Sequence, residues 1–118
     1  MSIRVDADLG VHVRALTLRL QRSEVLASNL ANVDTPGFQA RDIDFAAEMR
    51  RLESYDEQPA EAVPQLMYRV PSQPSQDGNT VELAVEQAEF SRNAMDFQTS
   101  LTFLSMKFRG LKQAIEGR

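Results

Sequence analysis

All five prolines of this 118-residue chain fall between Pro36 and Pro74, and the segments on either side carry long helical patterns. Proline removes a backbone donor and clashes with the preceding helical turn, so its confinement leaves both ends free to run as uninterrupted helices. In the first, Leu9, Val13, Leu16, Leu20, Ser23, Ala27 and Leu30 follow one another in alternating steps of four and three, the spacing of a heptad seam. Asp6 and Asp8 stand ahead of it, where acidic side chains cap free N–H groups and complement the helix dipole. The expected helix covers about 6–31, roughly 39 Å at ~1.5 Å per residue.

The C-terminal third repeats the pattern with larger residues: Phe90, Ala94, Phe97, Leu101, Leu104, Phe108, Leu111 and Ile115. "QDGN" is a turn sequence, and Asn79 with Glu82 three residues later resembles a capping box, which predicts a helix over about 80–116. Glu82, Glu86 and Glu89 then lie near its positive end and Lys107, Arg109 and Lys112 near its negative end, reading as a solvated face matched to the macrodipole. Gly110 lies inside this helix, where a glycine implies close packing or local loosening.

The middle, about 32–79, has no sustained apolar period and is expected to be extended or looped. "DIDFAAEMRRLESY" supports a short helix and "QLMYRV" a short strand. The fold class is mainly α: one elongated domain, 1–118, with two long terminal helices paired as an antiparallel coiled-coil-like hairpin around a proline-rich middle. Val11, Leu18, Val25, Leu26, Met95, Phe103 and Met106 lie off both seams. Surplus apolar surface on so thin a scaffold predicts packing against further partners.

Composition excludes several functions. Net charge is −4 and the basic residues are scattered, so no stripe exists to neutralise phosphates, and nucleic acid is not an expected partner. Cysteine is absent and His12 is the one histidine, which removes disulfides, Ser-His-Asp triads and multi-His metal sites within one chain. His12 reads as an exposed helix residue. The dispersed glycines form no phosphate-binding loop. No catalytic, cofactor or metal site and no small-molecule substrate is expected. "MSIRVDADLGVHVRALTLRL" lacks the apolar core of a cleavable signal, and nothing approaches the ~20 apolar residues of a membrane span.

The most specific segment is "NLANVDTPGFQARDIDF". Asn29 and Asn32 close the first helix, Asp34 follows, and Thr35 before Pro36 is pushed into an extended conformation. Pro36-Gly37 then supplies the preset φ and the permissive glycine of a type II turn, and Phe38 anchors the redirected chain. Physics alone reads this as an ordinary helix stop. The wording, however, resembles the signature of the flagellar rod, hook and hook-associated axial proteins, in which an N-terminal helix ends in an "ANxxTxGF/Y" segment. The likeness covers about 16–45 and 68–115; Leu30 stands where members often have Ile, and Phe38 where many have Tyr.

Longer members carry an inserted middle domain for which this chain has no room, and "DGNTVELAVEQAEF" and "SLTFLSMKFRGLKQAI" resemble a proximal rod subunit. The resemblance implies a structural subunit exported by the flagellar type III apparatus and assembled in the periplasm into a helical tube that transmits torque. Implied partners are the subunit itself, FlgC-like and FlgF-like rod subunits, the base adaptor FliE, the membrane-ring protein and, in transit, the export gate. It further implies that the hinge from Asn29 to Phe38 is an inter-subunit contact, that "QARDIDF" packs on a neighbour or on the subunit's own C-terminal helix, and that the isolated subunit is poorly folded. Alternatives are an FlgC-like proximal rod subunit and a small helical export chaperone or adaptor.

Overall fold

The computed structural model describes residues 2–54 and 63–117. Helix α1 (Ser2–Ala31) is followed by strand β1 (Arg41–Ile43), helix α2 (Phe45–Ser54), strand β2 (Leu66–Tyr68) and helix α3 (Leu83–Glu116). The long helices lie antiparallel: from Arg19 to Asn29 on α1, the hydrogen-bonded partner on α3 falls from Asp96 to Glu86. Both expected terminal helices and their hairpin pairing are present, as are the short helix and the strand in the middle; Tyr55, at the end of the expected short helix, lies outside the described residues.

Two helix starts differ from expectation. α1 begins at Ser2 rather than at about residue 6, so Asp6 and Asp8, expected to cap it, lie beyond its first turn. α3 begins at Leu83 with Glu82 as an extended N-cap that makes no side-chain cap bond. The Asn79–Glu82 capping box does not form, because both side chains are engaged elsewhere: Asn79 holds the hinge, and the Glu82 carboxylate accepts from the Ser72 N–H and hydroxyl. At the other end Gly117 takes φ 70° and its N–H returns to the Gln113 carbonyl, a left-handed C-cap. At Gly110 a Cβ would meet nothing within 4 Å and the helix runs on, so neither close packing nor loosening explains this glycine.

The core does not follow the heptad seams. On α1 the buried residues are Leu18, Leu26 and Asn29, with Arg22 between them, while Val13 and Leu20 are about half exposed at 49% and 53% and Ala27 faces outward. Leu9, Leu16 and Leu30 are half-buried. At ~100° per residue the buried stripe lies roughly 130° around the helix from the expected seam. On α3 the seam is half right: Leu104 is buried and Phe90, Phe97 and Leu111 are half-buried, but Ala94, Leu101, Phe108 and Ile115 are exposed. Leu18 and Leu26, which lay off the seam, form the centre of the subunit.

Polar residues make this choice. Either apolar stripe of α1 could be buried by a hairpin, but a buried polar group must find a partner. Glu86 on α3 accepts from Asn29, Asn93 on α3 donates to Ser23 and to the Arg19 carbonyl of α1, and Ala40 and Ile43 at β1 are buried.

Candidate assembly site: the hinge and its charge interlock

The hinge is built as its residues dictate. Asn32 closes α1, its side chain donating to the Ser28 carbonyl, and Thr35 donates its hydroxyl to the Asn32 side-chain oxygen. The Phe38 N–H bonds back to the Thr35 carbonyl at 3.2 Å across Pro36 and Gly37, whose φ is 75°, which is a type II turn. Phe38 then lies beside Val25 and Ser28 of α1. Asp34 is exposed.

Asn79 sits at the centre of this turn. Its amide nitrogen lies 2.8–3.0 Å from three hinge carbonyls, those of Asn32, Val33 and Thr35. Its side-chain oxygen accepts the Val81 N–H at 2.7 Å. Gly37 donates to the Asp77 carbonyl and Thr80 to the Phe38 carbonyl, so the chain leaving α1 runs alongside the chain entering α3. Gly78, also at positive φ, lies so near that a Cβ there would stand 3.5 Å from the Gly37 Cα. The helix stop is therefore one half of a tertiary knot whose other half is "DGNT".

Beyond the turn, "ARDI" is fastened by charge. Asn29, inside α1, forms a two-bond ring with the backbone of Arg41, donating to its carbonyl at 2.6 Å and accepting its N–H at 3.1 Å. The same amide donates to Glu86 at 2.9 Å, and Glu86, fully buried, accepts Arg69 Nε at 2.6 Å. Arg69 also grips Asp42 at 2.7 Å, and Asp42 takes Arg22 through both oxygens at 2.9 and 3.1 Å. Arg22 closes the circuit on Glu89 at 2.8 Å. Two guanidiniums and three carboxylates thus tie α1, β1, the residue after β2 and α3 into one interlock.

The titration behaviour follows from these contacts. Burial alone would raise the Asp42 carboxyl; the hydrogen bonds from Arg22, the Ile43 N–H and Arg69, with the charge of Arg22, outweigh it and hold the group below the usual carboxylate range. The bond to Asp42 raises Arg22 above the ordinary guanidinium value against the pull of burial. In Arg69 burial is likewise outweighed, here by Glu86 and Asp42. Arg19 differs: burial lowers it more than Asp96 restores, and its guanidinium stacks on the Phe45 ring at 3.9 Å. "QARDIDF" is thereby packed on its own subunit's α1.

A family model for flagella basal body rod proteins matches residues 9–39, which run from the first described core turns through the hinge. Near full-length relatives are flagellar basal body rod proteins FlgB. That of Salmonella typhimurium is 43% identical over 133 residues, 97% of this chain and 96% of the relative. That of Escherichia coli K12 is 41% identical over 132, with 96% of each covered, and that of Cereibacter sphaeroides is 47% identical over 121, covering 92% and 94%. The chain belongs to the FlgB family of flagellar basal body rod proteins. It is a flagellar basal body rod subunit.

Within this FlgB-family fold the expected site residues divide. Asn29, Asn32, Thr35, Pro36, Gly37 and Phe38 come together in one knot, and Leu104 joins the core; Val13, Leu20, Ala27, Ala94, Leu101, Phe108 and Ile115 are exposed, and the other seam residues are half-buried. The interlock residues Arg22, Asp42, Arg69, Glu86 and Glu89, and the keystone Asn79, carried no assembly signal in the expectation. Glu86 in particular, on a face expected to be solvated, is fully buried. One signal was available: Asn29 stands one turn from Leu26 and Asn93 between Phe90 and Phe97, and a polar residue among apolar ones is a candidate for buried pairing, whereas Glu86, between Glu82 and Glu89, gave none. His12, expected to be exposed, is half-buried.

Proposed function

We propose that this rod subunit is exported by the flagellar type III apparatus and assembles in the periplasm, close to the membrane ring, into a helical tube that transmits torque. It contacts copies of itself, FlgC-like and FlgF-like rod subunits, FliE and the membrane-ring protein there. The observation that carries the reading is the stripe the hairpin leaves unused. Val13 and Leu20 on α1, with Leu101, Phe108 and Ile115 (84% exposed) on α3, form apolar rows that nothing within the described residues of the subunit covers. Helix faces of this kind suit neighbours in a head-to-tail array that does not close on itself. Torque requires a stiff subunit, and the interlock supplies stiffness where the chain reverses.

The burial pattern supplies the test. Leu104 lies in the core, so Leu104→Lys disrupts the subunit itself, whereas Leu20→Lys alters the outward stripe alone. Leu20→Lys is expected to leave the helicity of the purified chain unchanged and to abolish rod incorporation, read as loss of motility and of the subunit from isolated basal bodies. Normal motility in Leu20→Lys would remove the stripe from the assembly contact.

A further inference from the structure

Asn93 is buried without being fully paired. Its side chain is 0% exposed, and its amide nitrogen donates to the Arg19 carbonyl at 2.8 Å and to the Ser23 hydroxyl oxygen at 2.7 Å. Its side-chain oxygen is buried too, and among the described residues nothing donates to it. A buried polar atom left unpaired lowers stability, and native folds rarely keep one without a reason. Phe90 and Phe97 stand three residues before it and four after, so an apolar residue would suit the position.

Nor do its partners depend on it. The Arg19 carbonyl lies inside α1, and Ser23 can turn its hydroxyl back to that carbonyl, four residues earlier, as Thr17 does to Val13, Thr99 to Met95 and Thr102 to Gln98. What Asn93 supplies is direction, because a hydrogen bond fixes an angle that apolar contact leaves loose. Ser23 belongs to the half-buried row of Leu9, Leu16 and Leu30. The exposed row of Val13, Leu20 and Ala27 lies only about 40–60° further round, since members of the two rows are three or four residues apart at ~100° each. A roll of α1 by that angle carries Val13 and Leu20 toward α3 and Leu18, 4% exposed, away from it.

We propose that Asn93 is a positioning residue: it fixes the roll of α1 on α3 in the half of the hairpin away from the hinge, and so holds Val13 and Leu20 outward for a neighbouring subunit. Near the hinge the interlock already sets the roll through Asn29, Arg22, Glu86 and Glu89. Seven residues beyond Glu86, Asn93 is the last buried polar residue of α3, and the next buried position is Leu104, which has no direction to impose. A single buried asparagine in a helix seam is known to select one geometry in this way while lowering stability. The inference rests on the outward stripe being the rod contact, and it names what keeps that stripe free.

The chain is free of cysteine, so single thiols report the roll in the full-length protein. Val13→Cys stands on the exposed row and Leu18→Cys in the core. Labelling with a maleimide is followed in stabilising osmolyte, each thiol with and without Asn93→Leu. Asn93→Leu is expected to slow Val13→Cys about fivefold and to speed Leu18→Cys by a similar factor. A hairpin that merely loosens speeds both. The urea midpoint of helical ellipticity should rise by roughly 1 M, because the unpaired oxygen is gone. The Asn93→Leu chain without added cysteine should be lost from isolated basal bodies.

Labelling rates that stay put or rise together overturn the proposal, as does a lower midpoint, which makes Asn93 an ordinary stabilising residue. Opposite shifts in the two rates with full incorporation of Asn93→Leu into basal bodies overturn its link to assembly. Absence of the unaltered chain from basal bodies overturns the rod reading instead, and the paired rates still decide the roll.

Discussion

Replacing Glu86 with alanine probes the interlock at its most buried point. The Glu86 side chain is 0% exposed and accepts Arg69 Nε at 2.6 Å and the Asn29 amide at 2.9 Å. Removing one partner of a buried ion pair costs about 3–5 kcal/mol, mostly because the other charge stays buried and unmatched. Here Arg69 keeps Asp42 at 2.7 Å and Asn29 keeps the Arg41 carbonyl, so the low end applies, about 3 kcal/mol. Few apolar residues are buried among those described (Leu18, Leu26, Ala40, Ile43 and Leu104), which puts the parent at the low end of the ~5–15 kcal/mol range of native domains. Glu86→Ala alone should leave the hairpin about 2 kcal/mol of stability, a few per cent unfolded in buffer.

The double variant Arg69→Met/Glu86→Leu tests the reasoning more sharply. It removes both charges and fills the space with apolar atoms, and such replacements are neutral or stabilising by roughly 1–4 kcal/mol. Helical ellipticity followed from stabilising osmolyte through urea captures the transition on whichever side the parent midpoint lies. At about 1–2 kcal/mol per molar urea, Glu86→Ala should move the midpoint down by roughly 2 M, and the double variant should recover most or all of that shift. A Glu86→Ala midpoint equal to the parent's, or a double variant less stable than Glu86→Ala, would refute the view that the pair's mutual dependence, rather than its charge, matters.

Two further outcomes follow from the same geometry. Asn79→Ala removes three hinge carbonyl contacts and the support of the Val81 N–H; at about 1 kcal/mol net per bond it should cost roughly 2–3 kcal/mol and show as faster amide exchange at Thr35 and Phe38. Asp42 has a depressed folded-state pKa, so its contribution is fully present above the unfolded value near ~3.9 and is lost as pH falls through the lower folded value. Acid titration of ellipticity should show that loss in the parent, and Asp42→Asn, already weaker at neutral pH, should lack this part of the acid slope.

Proline confinement and helical periodicity were enough to draw α1 and α3 and their antiparallel pairing, and "TPGF" announced its turn, because these depend on neighbours three and four residues apart. The strand at Leu66 and the helix after Asp44 were legible for the same local reason: Asp44 caps α2 by accepting the Ala47 N–H. Which face of each helix turns inward was not legible. Heptad spacing on α1 is real, yet its Val13, Leu20 and Ala27 row is exposed and its other row only half-buried, and the core falls on Leu18 and Leu26, roughly 130° away around the helix. An apolar stripe states that something will cover it without stating whether that is the same chain or another.

The tertiary structure decided the rest through polar groups, whose partners lie far apart along the chain. Asn29 reaches Glu86 across 57 positions, and Asn79 reaches Asn32 across 47. Hydrogen bonding is short-ranged and directional, so no local pattern reveals such pairs, and a glutamate on a helix reads as solvated until a guanidinium from elsewhere is brought against it. The amino-acid order by itself determined two helices and a sharp redirection between them. Only the folded chain determined that the redirection is locked by Asn79, that the hairpin closes through buried polar pairs, and that Val13, Leu20 and Ala27 of the heptad seam are left outward.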